Sequence, residues 1–284
     1  MRYPFTKMQS LGNDFVMLNG VSNAIQMSGA LAEKIGDRHF GIGCDQILLA
    51  ERPHHNKTGF RYRIFNRDGS EVGQCGNGAR CFARFLVDEG LTELRDIPVY
   101  TMTSSMTLCL NDDDTVTVDM GKPVFTPSLI PFRTSMESIS YSLQTVLGVF
   151  EIGALAVGNP HAICVVKDVE TTDVENIGPI IESHECFPER VNVGFMEVVS
   201  RSHIRLRVYE RGAGETLGCG SGATAAVVSG IRMGLLDSEV RVSLPGGDAT
   251  VQWDGDGTEN ELLHSVYLTG SAEKVFTGSI ELPD

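Results

Sequence analysis

Basic residues are scarce: 23 Lys and Arg stand against 37 Asp and Glu, a formal net charge of −14. A surface so short of cations cannot neutralise a phosphate backbone, and it suits an anionic membrane no better. Neither nucleic acid nor membrane is an expected partner. No uninterrupted apolar run approaches the roughly 18 residues that span a bilayer. The segment Met1 to Ser10 lacks the basic-then-apolar plan of a secretion signal, so a cytoplasmic protein is expected. Seven cysteines are present without a single Cys-x-x-Cys pair. An odd, scattered set fits reduced thiols in a cytosol better than a secreted disulfide framework. Cys75 and Cys81 stand six apart, off one helical face, and His184-x-Cys186 is isolated, so no metal site is expected. The 284 residues suffice for two domains at roughly 150 each.

The chain contains an internal repeat. Arg61 to Ala79 (RYRIFNRDGSEVGQCGNGA) lies without a gap over Arg205 to Ala223 (RLRVYERGAGETLGCGSGA) at an offset of 144 (219 minus 75), with eight of nineteen positions identical. The identities include Arg63/Arg207, Glu71/Glu215, Cys75/Cys219 and Gly78/Gly222. A second offset, 146, pairs Leu11-Gly12-Asn13 with Val157-Gly158-Asn159 and Gln46 with Asn192. Both offsets are near half the chain, which predicts two similar lobes related by a pseudo-twofold axis. The period is far too long for a solenoid.

Before each repeated cysteine the apolar residues alternate with the two-residue period of a half-buried strand, and after it they follow helical spacing. Helices are expected over Ala79–Glu89 and Ala223–Leu236, the second apolar nearly all round and hence interior, and another near Ser28–Asp37. Strands are expected at Thr115–Met120, Ala162–Val166, Val193–Val199, Val240–Leu244, Ala249–Trp253 and Ser265–Gly270. Asp112–Asp114 and Asp254–Gly257 read as hairpin turns. The expected class is α+β: two pseudo-symmetric domains, each a mostly antiparallel sheet or barrel around a central helix, with the active site in the cleft between them. The N-terminal lobe covers 1–120, completed by a C-terminal strand over 270–284, and the C-terminal lobe covers 121–269.

A cysteine where a strand becomes a helix meets unpaired amides and the positive end of the helix dipole, which favour thiolate and bind small anions. Gly76, Gly78, Gly220 and Gly222 let backbone approach a ligand closely. Two such thiols on opposite sides of a stereocentre would suit inversion at carbon: one takes a proton from one face and the other delivers a proton to the opposite face. A copied scaffold would also copy a structural cysteine, so repetition alone leaves catalysis and packing both open.

Motifs along nearly the whole chain resemble diaminopimelate epimerase. They are Leu11-Gly12-Asn13-Asp14-Phe15, Phe40-Gly41-Ile42-Gly43-Cys44-Asp45-Gln46, Phe65-Asn66, Asp68-Gly69-Ser70-Glu71, Cys75-Gly76-Asn77-Gly78-Ala79-Arg80-Cys81, Gly158-Asn159-Pro160-His161, Arg190-Val191-Asn192 and Glu210 to Thr216 ahead of Cys219-Gly220-Ser221-Gly222. The resemblance implies a cofactor-independent, metal-free enzyme, cytoplasmic and homodimeric, that interconverts LL- and meso-diaminopimelate in lysine and peptidoglycan-precursor synthesis. It implies Cys75 and Cys219 as proton acceptor and donor, interchanged by direction, with His161 and Glu210 tuning them. Gly76-Asn77 and Gly220-Ser221 would hold the α-carboxylate. Asn13, Gln46, Asn66, Asn159, Asn192, Glu210 and Arg211 would grip the substrate, much of this set serving its distal arm. The repeat differs at Asn66/Glu210 and Asn77/Ser221, as a substrate extending only one way requires. Gln9-Ser10, Arg67, Gly218 and Thr224 depart from the usual family residues. Competing readings are a proline or hydroxyproline racemase of the same architecture, and a thiol redox switch joining Cys75 to Cys219. A nucleotide-binding module is set aside, because the glycines lack both the P-loop lysine and the Rossmann spacing.

Overall fold

Contacts divide the chain into one unit of Met1–Val118 with Gly270–Asp284 and a second of Asp119–Thr269. The computed structural model describes residues 2–53, 58–73, 75–103, 105–255 and 264–281. The chain runs β1 (Arg2–Ser10), β2 (Asn13–Asn19), α1 (Gly29–Gly36), β3 (Gln46–Glu51), β4 (Phe60–Asn66), β5 (Glu71–Val72), α2 (Gly76–Asp88), β6 (Asp96–Tyr100), β7 (Ser105–Leu110) and β8 (Val116–Asp119). It continues as β9 (Tyr141–Thr145), β10 (Gly148–Ala156), β11 (Pro160–Val166), α3 (Val174–Glu182), β12 (Asn192–Ser200), β13 (His203–Glu210), β14 (Gly214–Thr216), α4 (Gly220–Arg232), β15 (Glu239–Leu244), β16 (Gly247–Gln252), β17 (Tyr267–Gly270) and β18 (Glu273–Glu281).

The first unit pairs β18 with β1, β1 with β2, β3 with β4, β4 with β5 and β6 with β7 antiparallel, and β2 with β3 and β4 with β6 parallel. The second unit repeats this plan element for element. There β9–β10, β10–β11, β12–β13, β13–β14 and β15–β16 are antiparallel, while β11–β12 and β13–β15 are parallel. Each parallel pair is bridged by a helix, because a parallel connection needs a long crossover where a hairpin does not. The α+β class and the mostly antiparallel sheets are as expected. The parallel pairs are an addition, since alternation marks a strand without giving its direction.

Each central helix is buried by its own strands. Helix α2 packs on β1, β2, β3 and β7, burying Ala79, Cys81, Phe82, Ala83, Phe85 and Leu86. Helix α4 packs on β10, β11, β12, β13 and β16 with every residue from Gly222 to Gly230 buried. With glycines and β-branched valines of poor helix propensity, α4 owes its stability to this burial. Both helices start three residues earlier than their apolar spacing suggests, immediately after the repeated cysteine, since glycine at a helix start reads as a turn. They end alike. Gly90 and Gly234 have φ of 65° and 73°, and Leu91 and Leu235 donate N–H to the carbonyls of Leu86 and Gly230, both at 2.9 Å. This left-handed glycine cap stops α4 at Arg232, short of the expected Leu236.

The repeated charges are structural. Arg63 forms a two-point pair with Glu71 (2.8 and 2.8 Å), and Arg207 forms the same pair with Glu215 (2.6 and 2.8 Å). The turn expected at Asp254–Gly257 runs beyond Gly255 into residues outside the described set. No helix among the described residues is long and apolar enough to cross a membrane.

Candidate functional site

In the first unit, β1 and β2 join through a two-residue turn in which Leu11 and Gly12 have φ of 54° and 78°. The left-handed pair matches the strand twist and delivers Asn13 to the start of β2. Asn13 Nδ2 donates to Asp45 Oδ2 at 2.7 Å. Asp45 and Asp14 are in turn bridged by Arg38, at 2.8 Å from each, and Lys7 Nζ lies 2.6 Å from Asp14. Burial pulls the Asp14 carboxyl up, but the hydrogen bonds and charges of Arg38 and Lys7 outweigh it and lower its pKa to about 2. The stabilisation is therefore complete above the ordinary value of 3.8 and lost as pH falls through about 2. Asp14→Asn is expected to cost about 1 kcal/mol at neutral pH, allowing for screening at a part-exposed group. Denaturant unfolding as a function of pH checks this: the wild-type and variant curves should converge in strong acid.

Gln46 opens β3 directly across from Asn66, the last residue of β4, and its Nε2 donates to Asn66 Oδ1 at 2.9 Å. Asn66 Nδ2 donates to Ser70 Oγ at 3.0 Å. Cys75 is the N-cap of α2, and its Sγ accepts the Gly78 N–H at 3.2 Å. Asn77 is buried in the first turn of the helix, where its Oδ1 accepts from Arg80 Nη2 at 2.7 Å. Arg67 is exposed after β4.

In the second unit, Cys219 is the N-cap of α4 but makes no capping bond through its side chain. Its S–H instead donates to Glu210 Oε2 at 3.1 Å, and Ser221 Oγ lies 3.7 Å from the sulfur. Thr216 donates to the other Glu210 oxygen at 2.6 Å and fixes the carboxylate. Burial first, then the charge and hydrogen bond of Glu210, push the Cys219 thiol well above its ordinary value. Cys219 gives its proton to a carboxylate, while the Gly222 N–H, the counterpart of Gly78, still acts on its sulfur in the lowering direction.

His161 on β11 lies opposite Asn192 on β12. Its Nε2 is 2.9 Å from Asn159 Oδ1, an oxygen, so Nε2 carries the proton and Nδ1 is a buried acceptor. Burial, aided by the charge of Arg211, lowers its pKa to about 3. His161 is therefore neutral near pH 7, and any influence it has on a thiol acts through hydrogen bonding, not charge. Asn192 Nδ2 donates to the Pro160 carbonyl at 3.0 Å, and its Oδ1 accepts the Arg211 N–H at 2.9 Å. The exposed Arg211 side chain donates to the Glu189 carbonyl at 3.0 Å. Buried Glu182 accepts the Gly212 N–H at 2.9 Å and holds this turn from α3.

Within the first unit Asn13, Gln46, Asn66, Cys75, Gly76 and Asn77 are set at strand and helix ends. Asn159, His161, Asn192, Glu210, Arg211, Cys219, Gly220 and Ser221 are set likewise within the second. Asp45, Thr216, Glu182 and Arg80, which orient members of these sets, escaped sequence reasoning. Asp45, Arg80 and Thr216 lay inside quoted motifs, but nothing in spacing gave them a role. Among the described residues no three His, Cys, Asp or Glu side chains gather to hold a metal, and no disulfide joins the cysteines.

The glycines of the two caps are not equally constrained. A Cβ on Gly78 would lie 2.4 Å from Tyr62 Oη and 3.0 Å from Cys75 Sγ, with Tyr62 itself buried against Phe82. On Gly222 the nearest atom is Val208 Cγ2 at 3.0 Å. Gly78→Ala is expected to destabilise by about 1–3 kcal/mol through overpacking. Gly222→Ala should be nearly neutral, since about 1 kcal/mol of helix propensity offsets the tighter contact. Chemical denaturation of the two variants measures the difference.

Solved structures that share the fold over almost the whole chain include the following three. A PhzF-family phenazine biosynthesis protein from Bacillus anthracis aligns at TM-score 0.70 with 15% identity, covering 99% of this chain and 100% of that one. A hydroxyproline epimerase from Agrobacterium vitis, with bound trans-4-hydroxy-L-proline, aligns at 0.68 with 12% identity over 100% and 93%. A probable proline racemase from Agrobacterium radiobacter aligns at 0.67 with 13% identity over 99% and 93%. The diaminopimelate epimerase family matches residues 5–126 and 153–275, which span both repeats. With that match across both halves, the chain belongs to the diaminopimelate epimerase family.

Proposed function

We propose that this protein is a cofactor-independent diaminopimelate epimerase, which interconverts the LL and meso forms by proton transfer at the α-carbon between Cys75 and Cys219. The carrying observation is that Cys219 donates to Glu210, whose aligned position in the first unit is Asn66. Cys75 Sγ accepts the Gly78 N–H, an arrangement for a thiolate base, whereas Cys219 holds its proton toward Glu210, an arrangement for a thiol acid. In one direction the Cys75 thiolate takes the α-proton, the electron pair stays on carbon and spreads into the carboxylate, and Cys219 S–H protonates the opposite face. The amides at the starts of α2 and α4 receive the negative charge that develops on the carboxylate. The reverse reaction exchanges the two roles.

For the substrate's distal end, the support is asymmetry within the repeat. Asn66 of the first unit is replaced by Glu210 in the second, while an exposed arginine follows each, Arg67 and Arg211, and a guanidinium suits two-point carboxylate binding. Amide oxygens of Asn13, Gln46, Asn66, Asn159 and Asn192 offer acceptors for an ammonium. The reading places the enzyme in lysine and peptidoglycan-precursor synthesis, in the cytoplasm and as a homodimer, for which the exposed apolar Val275 and Phe276 of β18 are candidate contacts. The test is chiral separation of the products from LL-diaminopimelate, run beside L-proline and trans-4-hydroxy-L-proline. Formation of meso-diaminopimelate with both imino acids unchanged supports the reading. Inversion of an imino acid in preference to diaminopimelate overturns it.

A further inference from the structure

Arg80 has no accessible surface, and among the described residues no carboxylate pairs with it. Its Nε and Nη2 donate to Ser10 Oγ at 3.1 and 2.8 Å, its Nη2 also donates to Asn77 Oδ1 at 2.7 Å, and Nη1 has no hydrogen-bond partner among the described residues. Ser10 is committed as an acceptor, because its own hydroxyl donates to the Ser271 carbonyl at 2.6 Å. On the far side a Cβ on Gly270 would sit 3.0 Å from Arg80 Nε, so the guanidinium is clamped between α2, β1 and the chain at Gly270. A buried guanidinium with neutral partners alone is costly, and buried cations are ordinarily matched by a negative group.

The groups whose charge reaches Arg80 are Cys75, Cys81 and Tyr62. Burial pushes both the Cys81 thiol and the Tyr62 phenol well up, so neither ionises near neutrality. Glu273 of β18 acts on Cys81 and is hydrogen-bonded to Gln9. Lys7 of β1 is turned to Asp14, and Glu51 of β3 is tied to Arg61 and Arg63. Cys75 is the remaining group able to supply the matching negative charge. Burial brings Arg80 itself down only to about 10, so it stays charged at neutral pH. The repeat sharpens the contrast: position 80 plus 144 is Thr224, whose hydroxyl is spent on the Gly220 carbonyl at 2.7 Å. One helix carries a buried cation in its second turn, and the other has a neutral hydroxyl in its place with a carboxylate at the thiol.

We infer that Arg80 is a positioning residue that keeps Cys75 as the resting thiolate, while Cys219 rests as the thiol, and that through Asn77 it also fixes the first turn of α2. The inference deepens the proposed two-thiol reaction and rests on it for its meaning in catalysis, but its test requires no substrate. The wild-type protein is alkylated with iodoacetamide at pH values from 5 to 10, and Cys75 and Cys219 are followed as separate peptides by mass spectrometry. The midpoint of each pH curve, not its absolute rate, removes the difference in accessibility. The Cys75 midpoint is expected at least one pH unit below that of Cys219. Arg80→Met should raise the Cys75 midpoint by one unit or more and leave Cys219 unmoved, and Arg80→Lys should restore most of the shift. A purely structural role would lower stability without moving the midpoint. Equal or inverted midpoints in the wild type, or an unmoved Cys75 midpoint in folded Arg80→Met, overturn the inference; if Arg80→Met does not fold, the wild-type comparison decides. Full epimerisation by Cys75→Ser would instead defeat the two-thiol reading and leave the Arg80 result standing.

Discussion

Cys75→Ser and Cys219→Ser are each expected to lower the epimerisation rate about 10²–10⁴-fold, the contribution of a positioned general acid or base. A serine hydroxyl nearly preserves the size, and at position 75 the cap, but ionises far outside the physiological range, so it neither abstracts the α-proton nor returns as a competent base. The two losses should not add in the double variant, because removing either carrier already breaks the relay. The singles should also retain exchange unequally. The variant that keeps Cys75 still has its thiolate beside the Gly78 N–H and can wash solvent hydrogen into one stereoisomer without inverting it. The variant that keeps Cys219 retains a thiol whose proton is held toward Glu210. Polarimetry measures inversion and mass spectrometry measures exchange, and wild-type inversion in either single variant contradicts the assignment.

Glu210→Gln is expected to shift the basic limb of the pH–rate profile toward lower pH by about 1–2 units, since a like charge close to a titrating group typically moves it by that order. The sign follows from the contact. The Glu210 carboxylate raises Cys219 by its charge and by accepting the S–H hydrogen bond, so it keeps the thiol protonated at pH values where it would otherwise ionise. A neutral amide releases that hold. The active form, one thiolate and one thiol, then disappears at lower pH as the second proton leaves. A charge-assisted hydrogen bond contributes about 1.5–3 kcal/mol, enough for roughly a tenfold loss at the optimum. Thr216→Val leaves the carboxylate charged but loosens its orientation. It should lower the rate with the limb nearly in place.

The repeat was legible because its identities are geometric necessities. Arg63–Glu71 and Arg207–Glu215 recur as two-point ion pairs, and the cysteines recur as N-caps. Strand alternation and the apolar face of α4 likewise follow from local periodicity. What stayed hidden depends on contacts between segments distant in sequence. Arg38 and Lys7 read singly as surface cations, yet together they set Asp14 and Asp45 beneath Asn13. Arg80 enters the sequence reading only as part of a motif, and the packing of β1 and Gly270 over it shows a buried charge. The exchange of Arg80 for Thr224 across the repeat is visible in the sequence, but its electrostatic meaning is not until burial is known.

Solvent isotope labelling tests the two-thiol relay most directly. LL-diaminopimelate is turned over briefly in deuterium oxide, and product and recovered substrate are separated and weighed by mass spectrometry. Two thiols acting from opposite faces predict that deuterium enters the inverted α-carbon of the product while early recovered substrate stays unlabelled, because the acid delivers solvent deuterium and, where inversion is open, the base passes on before its captured hydrogen exchanges with solvent. Equal early labelling of substrate and product would mean that one group serves both faces, and would contradict the account.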